Sequence, residues 1–535
     1  MLLSLALVLM SLLSNIGTVK VLATDGNKLK EHLIHIETTK AENGFQDLEP
    51  LKEILKDKRI IGIGESTVGA KEFYEMKHRM VEFLVEEMGY RVVAIDAEFG
   101  DIKIVNDYIL NGVGSIDEVI WALRNFSWSA TKEKDNTSTI VTHAYLASWT
   151  TTEFTAMIEW MKKFNEDPGN ENKIKFYGID MELPENSIDD LFGYLDKADE
   201  GLGTNYSGKL SDLVIIHGFN IKYPTSRSLG LFLGMMEELE EIFITNKEKY
   251  IEKTSATEYE IAKHDLEVIM GWGDYRNNNL KSGTIEALSN RNYHMAENVK
   301  WILEFEKQNG NDKVIVWAHN RSIAKKGNLH STMGEHLKET FGEEYYAIGL
   351  DFYEGRFRAY GVDIWGNPIS NYLAKFSIGS SPKNTLAYAL EKTGLELSLL
   401  DFQSALGEKE VFDILSNPQL IHNIGLMYPG RYTPSRYTLD FTKRYSSDIP
   451  MDSYDGFLFV KEISETTGAY DKRDTKIEDG DKAIISHYIH ILFGQISTIV
   501  SIIIVTVLIF IFVYKKIKKK KDGKGARYPN SDRWD

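Results

Sequence analysis

The chain has 535 residues, no cysteine and a formal net charge of −17 at pH 7. The absence of cysteine excludes a disulfide framework, a thiol nucleophile and a cysteine-ligated metal site. Residues 515–535 carry nine Lys or Arg and three Asp or Glu, a net charge of +6 that leaves −23 for the rest of the chain. Because nucleic-acid binding depends on a basic surface, a body this acidic argues against a nucleic-acid partner.

An apolar segment at the N-terminus predicts export. Residues 2–13 are almost wholly apolar, and Val21-Leu22-Ala23 follows with small residues at the two positions that signal peptidase reads. This pattern predicts a signal peptide over residues 1–23, cleaved after Ala23. No Lys or Arg precedes the apolar run, so an uncleaved N-terminal anchor is the alternative.

A second uncharged segment, near the C-terminus, predicts a membrane anchor. Residues 483–514 contain no Asp, Glu, Lys or Arg and are followed by a run of lysines. This pattern predicts one transmembrane helix with a basic cytoplasmic tail over 515–535. The main domain, 24–463, would then lie outside the cytoplasm, joined to the membrane by a flexible polar linker over 464–482. The expected location is the cell membrane, with a single span.

Short apolar runs alternate with helical patterns along the main domain. In chain order we predict helices at 27–40 and 47–55, strand Ile60–Ile63, helix 72–88, strand Val92–Ile95, helix 154–164, strand Ile174–Tyr177, a helical insertion over about 200–290, helix 291–307, strand Val314–Trp317, helix 335–341, strand Tyr345–Leu350 and strand Phe457–Val460. This alternation predicts an α/β fold with a mainly parallel sheet flanked by helices.

Polar side chains follow three of these predicted strands. The clusters are Glu65 with Ser66 and Thr67, Asp96 with Glu98, and His319 with Asn320, Arg321 and Ser322. Carboxyl ends of parallel strands meet at one edge of a sheet, where α/β proteins commonly place their sites. Converging acids and a histidine could perform general acid–base chemistry. Taken singly, a strand-end Glu can instead cap the next helix, and His319 can be a satisfied polar residue.

The first cluster lies in the segment R-I-I-G-I-G-E-S-T-V-G-A-K-E-F, residues 59–73, which resembles the signature G-E-x-T-H-G-x-x-E-F of the erythromycin esterase family. Further segments are similar to family motifs in the same order. They are Met76-Lys77-x-Arg79, Phe176-Tyr177-Gly178-Ile179-Asp180-Met181, Arg291-x-x-x-Met295-Ala296-Glu297-Asn298, and Trp317-Ala318-His319-Asn320 against W-A-H-N-x-H. The resemblance runs from about residue 45 to about 465.

The resemblance implies hydrolysis of an ester, typically a macrolide lactone, without an obligatory metal. By position, Glu65, Arg291 and His319 are retained, and Asp96 stands where the family has Glu. Two family histidines are replaced, the first by Val68 and the second by Ser322. Because valine cannot accept a proton, the family mechanism cannot run unchanged.

We therefore predict a membrane-tethered, extracytoplasmic ester hydrolase with an altered site and a small-molecule ester as substrate. In this hypothesis His319 is the base, Glu65 and Asp96 orient it, and Arg291 stabilises the anion. We predict no cofactor and no metal, although Glu65, Asp96 and His319 would also make a two-carboxylate, one-histidine metal set. The alternative function is a catalytically degenerate surface protein that binds a small molecule or glycan.

Overall fold

The computed structural model describes residues 26–125, 149–221, 223–362, 373–429 and 445–468. The predicted signal peptide, transmembrane helix and basic tail lie outside these residues. Within the described ranges, none of the helices has both the length and the apolar character needed to cross a bilayer.

Twelve strands are described. They are β1 (Leu33–His35), β2 (Ile60–Ile63), β3 (Val92–Glu98), β4 (Lys175–Asp180), β5 (Val314–Trp317), β6 (Tyr345–Gly361), β7 (Ala374–Ile378), β8 (Leu397–Asp401), β9 (Gln419–His422), β10 (Met427–Tyr428), β11 (Tyr445–Asp448) and β12 (Gly456–Ile463). All six strands predicted from the sequence are confirmed, as β2 to β6 and β12.

The described α-helices surround these strands, and one 3₁₀ turn covers Gly342–Glu344. The helices are α1 (Gly26–Lys30), α2 (Pro50–Leu55), α3 (Lys71–Met88), α4 (Phe99–Asn111), α5 (Ile116–Asn125), α6 (Thr152–Glu166), α7 (Glu185–Ala198), α8 (Leu202–His217), α9 (Ser226–Thr245), α10 (Lys247–Lys253), α11 (Ala256–Ser282), α12 (Thr284–Lys307), α13 (Asn320–Ile323), α14 (Met333–Phe341), α15 (Leu386–Glu391), α16 (Phe402–Ala405), α17 (Lys409–Leu415) and α18 (Pro450–Ser453).

The main sheet is mixed, with a parallel centre. Its strand order is β1-β8-β12-β6-β2-β5-β3-β4, and every pairing from β12 to β4 is parallel. The edge strand β1 pairs antiparallel with β8, β8 pairs antiparallel with β12, and β7 pairs antiparallel with β6. Both β2 and β5 are buried at every position, as parallel strands covered by helices on both faces should be. The α/β class with flanking helices is thus confirmed, in a sheet that is mixed.

The ends of the three central strands are tied together by one asparagine. Asn320 follows β5. Its side-chain oxygen accepts a hydrogen bond from the backbone N–H of Leu350 at 3.0 Å, and its side-chain N–H donates one to the backbone carbonyl of Leu350 at 2.8 Å. The N–H of Asn320 donates to the carbonyl of Glu65 at 2.8 Å. A Cβ at Gly64 would lie 2.1 Å from Asn320 Oδ1, so only glycine fits there. These contacts fix the loop that carries Glu65.

The helix predicted over residues 27–40 is wrong beyond its first turn. Helix α1 ends at Lys30, and Leu33, Ile34 and His35 form an edge strand that pairs with β8. The apolar residues of this segment are used in a strand and not in a helix. Pairing with a strand that is distant in sequence decides this, and local periodicity does not show such a partner.

Between β4 and β5 the described chain forms only helices, α7 to α12. They enclose an apolar core of their own, in which Phe232, Leu239 and Trp272 are completely buried. Helix α7 begins at Glu185, before the insertion predicted at about residue 200.

The residues just after the predicted boundary at 463 contact the domain. The N–H and hydroxyl of Ser464 both bond to Glu72, at 2.6 and 2.5 Å. Glu465 pairs with Arg356 at 2.8 Å and with Lys375 at 2.9 Å, and Gly468 bridges to Thr151. The first five residues of the predicted linker are therefore part of the folded domain, because their polar groups meet partners distant in sequence.

A buried ion pair beneath α3 should contribute strongly to stability. Both oxygens of Asp47 accept hydrogen bonds from Arg79, at 2.9 and 2.5 Å, and both side chains are nearly fully buried. We expect Asp47→Ala to lower the free energy of unfolding by about 3–5 kcal/mol, because it leaves a buried guanidinium without its counter-charge. Urea denaturation at pH 7 measures the change. Glu53→Ala is the control, because Glu53 pairs with Lys56 at the surface, and it should have little effect on the free energy of unfolding. Equal losses of stability in the two variants would contradict the prediction.

Candidate active site

A buried ion pair occupies the end of β2. Glu65 follows the strand and is 3 % exposed, and Lys77 of α3 is completely buried. Glu65 Oε2 accepts hydrogen bonds from Lys77 Nζ at 2.8 Å and from the indole N–H of Trp317 at 3.2 Å. Lys77 Nζ also lies 4.4 Å from the centre of the Trp317 ring, within cation–π distance. The pair is thus held by the last residue of β5.

Burial makes the Lys77 proton unusually easy to remove. It lowers the pKa of the Lys77 ammonium to about 8, although the charges of Glu65 and Asp96 act in the opposite direction. The ammonium is therefore the main form at neutral pH, with a neutral amine accessible just above it. In the sequence, Lys77 stands out only as part of a segment that resembles a family motif. Its position four residues after Phe73 and four before Val81, on the apolar stripe of α3, is the signal that marks it as buried.

His319 is held at the start of α13 in a defined tautomer. Its Nδ1 accepts the backbone N–H of Arg321 at 3.2 Å. In a neutral ring the proton must then be on Nε2. Nε2 is buried and forms no hydrogen bond of good geometry within the described part of the chain, although the backbone of Ser66 lies close to the ring. A Cβ on Gly425, whose φ is +60°, would lie 3.7 Å from this atom, so the loop after β9 lies directly over the imidazole.

His319 is neutral throughout the physiological range. Burial lowers the pKa of the imidazole to about 3, helped by the positive charges of Arg321 and Lys77 and opposed by the backbone of Ser66. Because Nδ1 is occupied and Nε2 carries the proton, the ring presents an N–H donor. This geometry favours a donor over the base that the sequence suggested.

Arg291 of α12 lies among carboxylates. It donates to Asp180 from Nε at 2.9 Å and from Nη2 at 2.5 Å, and to Asp96 from Nη2 at 3.0 Å. Glu182 is 3.7 Å from its Nε. Asp180 ends β4 and is completely buried, so it is the principal counter-charge. The predicted role of Arg291 in stabilising an anion during a reaction stays a prediction.

A buried carboxyl group adjoins this ion pair. Glu98, at the end of β3, is 2 % exposed. Burial raises the pKa of Glu98 well above its usual range, and the charges of Asp180 and Asp101 add to the effect. Burial likewise raises the pKa of Asp101 to about 7.

The structure brings all four residues selected from the sequence into one electrostatic cluster. Strands β2, β5 and β3 are neighbours in that order, so Glu65, His319 and Asp96 emerge from adjacent strand ends. Asp96 joins the cluster through Arg291 and acts on the pKa of Lys77. Lys77 in turn acts on the pKa of His319. Among the residues described, no three His, Asp or Glu side chains converge as metal ligands.

The two residues at the replaced family positions lie in the same region. Val68 is half-buried in the loop after Glu65, where its N–H donates to the carbonyl of Gly425 at 3.3 Å. Ser322 lies within α13, and its N–H bonds to the carbonyl of His319 at 2.9 Å. Neither side chain supplies an imidazole.

Comparison with known proteins agrees with the motifs. The family model described as erythromycin esterase matches residues 85–463. The chain is 24 % identical to erythromycin esterase type II of Escherichia coli over 416 residues, which cover 70 % of this chain and 88 % of that protein.

Solved structures show the same fold at low identity. A crystal structure of a Bacillus cereus protein gives a TM-score of 0.65 at 20 % identity, covering 83 % of this chain and 98 % of that one. An erythromycin esterase mutant in its open conformation gives a TM-score of 0.56 at 15 % identity, covering 80 % and 96 % of the two chains. The motifs, the fold and the family model together show that this chain belongs to the erythromycin esterase family.

Proposed function

We propose that the protein is a carboxylic ester hydrolase, with a lactone or ester as substrate and no resident metal. The observation that carries the proposal is the buried Glu65–Lys77 pair beside the neutral, Nε2-protonated ring of His319. Family membership supports a hydrolase-like activity, and the charged groups gather at the strand ends where α/β proteins bind ligands.

Water is the nucleophile in the proposed reaction. It transfers a proton to the Glu65–Lys77 pair while its oxygen bonds to the ester carbonyl carbon. The carbonyl oxygen becomes an oxyanion that accepts a hydrogen bond from His319 Nε2. The bond from carbon to the alcohol oxygen then breaks, and the departing alkoxide takes the proton back from the pair.

This assignment follows from the replacement at position 68. Valine offers no site for a proton, and His319 has its Nδ1 lone pair engaged by Arg321. Lys77 is the remaining group of the Glu65–Lys77–His319 set that can become a neutral base near pH 8. Asp96 and Arg291 would orient substrate at the neighbouring strand end.

We also propose that the domain acts outside the cytoplasm and is held at the membrane by residues 483–514. The uncharged length of that segment and the lysines after it support this proposal. A second candidate function is a binding protein for a small molecule or glycan with a degenerate site. It is favoured by Val68 and by the neutralisation of Arg291 by Asp180 and Asp96.

The role of His319 can be tested by two exchanges of different chemistry. If Nε2 acts as an N–H donor, we expect His319→Ala to reduce kcat about 10²–10³-fold and His319→Gln, which keeps an N–H, to lose less. Hydrolysis of aryl esters and macrolides by the purified chain gives the rates. Equal losses in the two variants would instead indicate a base. Because the His319 pKa is about 3, no change in activity between pH 5 and 7 should depend on this residue.

The role of Lys77 predicts a rise in activity with pH. The neutral amine forms as pH increases through its pKa of about 8, so kcat/KM should increase over that range. Lys77→Arg keeps the positive charge at every accessible pH and should remove the rise, lowering the rate at pH 9 by about 10²–10⁴-fold. Lys175→Arg is the matched control, because Lys175 also pairs with a buried glutamate, Glu306, away from the site. An unchanged profile in Lys77→Arg would contradict the assignment.

The exchange Val68→His separates the two candidate functions. If the natural chain hydrolyses esters through the Glu65–Lys77 pair, we expect it to be active with Val68 in place. The Val68→His variant should then differ from it in rate and in pH profile. Activity that appears only in Val68→His would show that the natural chain is not a hydrolase, and would leave the binding function. The same assay with Val68→Leu controls for disturbance of the loop that bonds to Gly425.

A further inference from the structure

A cavity of about 490 Å³ opens among the helices that follow β4. Its walls come from α9, α11 and α12, and neither Glu65, Lys77 nor His319 contributes to them. The volume is within the range of pockets that bind small molecules. It is therefore a candidate site distinct from the cluster at the strand ends.

Apolar side chains and stacked rings form part of the cavity wall. Phe243 and Leu266 are buried in its wall, and Met270 is half-buried. The ring of Trp301 stacks on His264 at 3.8 Å between centroids with an interplanar angle of 3°, and on Phe305 at 4.7 Å. Stacked aromatic side chains keep one orientation, so this wall is formed before any ligand arrives.

The charged groups of the lining are mostly carboxylates. Five carboxylates and two lysines line the cavity, which gives a net charge of −3. Glu267 pairs with Lys263, and Glu297 pairs with Lys300 at 3.3 Å. Glu240 and Glu304 are exposed and form no ion pair within the described ranges. The excess of carboxylates along the lining therefore favours positive charge.

One wall contains a polar atom that lacks a partner. His264 is 3 % exposed, and its Nδ1 lies 2.9 Å from Glu267 Oε2. Burial lowers the pKa of His264, so the ring is neutral and its Nδ1 proton is directed at the carboxylate. Nε2 then has a lone pair, and no group in the described part of the chain donates to it. This lone pair is enclosed by protein, so it leaves the wall with one polar atom that has no partner among the described residues.

We propose that this cavity binds a small organic cation, an amine joined to an apolar body. The apolar part of the wall would hold the body and the carboxylates of Glu240 and Glu304 the ammonium group. A bare metal ion does not fit, because no three ligating side chains converge among the described residues. A neutral or anionic ligand of the same shape would lack the charge complementarity.

Calorimetry on the full-length chain with three probes of one shape tests the proposal. We expect phenylbutylammonium to bind with a Kd below about 1 mM, since a ligand of this size can reach that affinity in a preformed pocket. Phenylbutanol should bind more weakly and phenylbutyrate not at all. Added salt should weaken the binding of the ammonium probe. Equal binding of all three probes, or no saturable binding of the ammonium, would overturn the proposal.

Charge reversal locates the site. Glu240→Lys and Glu304→Lys should each weaken ammonium binding by about tenfold or more, because each replaces an attraction by a repulsion at short range. Glu171→Lys makes the same change in net charge on an exposed loop outside the cavity and should leave binding unchanged. Equal effects of the three variants on ammonium binding would contradict the assignment of the binding site to this cavity. A dimer in sedimentation that Glu240→Lys dissociates would also overturn it, because the face would then join two copies of the chain.

Discussion

The candidate site depends on the side-by-side pairing of three parallel strands, β2, β5 and β3. Their register places Ile63 opposite Trp317 and Trp317 opposite Ile95, so the residues that follow emerge at one level. A slip of one residue would turn alternate side chains to the opposite face of the sheet. The apolar runs that bury all of β2 and β5 thus place Glu65 and His319 as well as stabilising the core. The Asn320 hydrogen bonds to Leu350 then fix the same edge to β6.

Burial sets the chemistry of this edge. Removal from water disfavours charge, so it lowers the pKa of Lys77 and His319 and raises that of Glu98. The result is a set of groups whose protonation differs from that of the same side chains in water. Such perturbed groups concentrate at functional sites, although structural ion pairs perturb pKa values too. Arg291 lies in a paired environment, since Asp180 and Asp96 supply its counter-charges.

The helices between β4 and β5 form a second packed region beside the sheet. They have an apolar core separate from that of the sheet, and their cavity is lined by carboxylates and stacked rings. Helix α12 links the two environments, since it carries Arg291 toward the strand ends and Trp301 toward the cavity. The chain outside its last 21 residues has a net charge of −23. The lining of this pocket is also acidic.

The sequence by itself determined the α/β class, the six strands of the parallel centre and the family, because buried parallel strands are continuous apolar runs and the motifs lie beside them. It also selected Glu65, Asp96, His319 and Arg291. Only the tertiary structure decided how these groups pair. The Lys77–Glu65 bond joins two elements, the tautomer of His319 depends on a backbone N–H, and β1 and β8 exist only as partners of other strands. Such contacts join residues far apart in the chain or depend on one local geometry, and no local pattern encodes either.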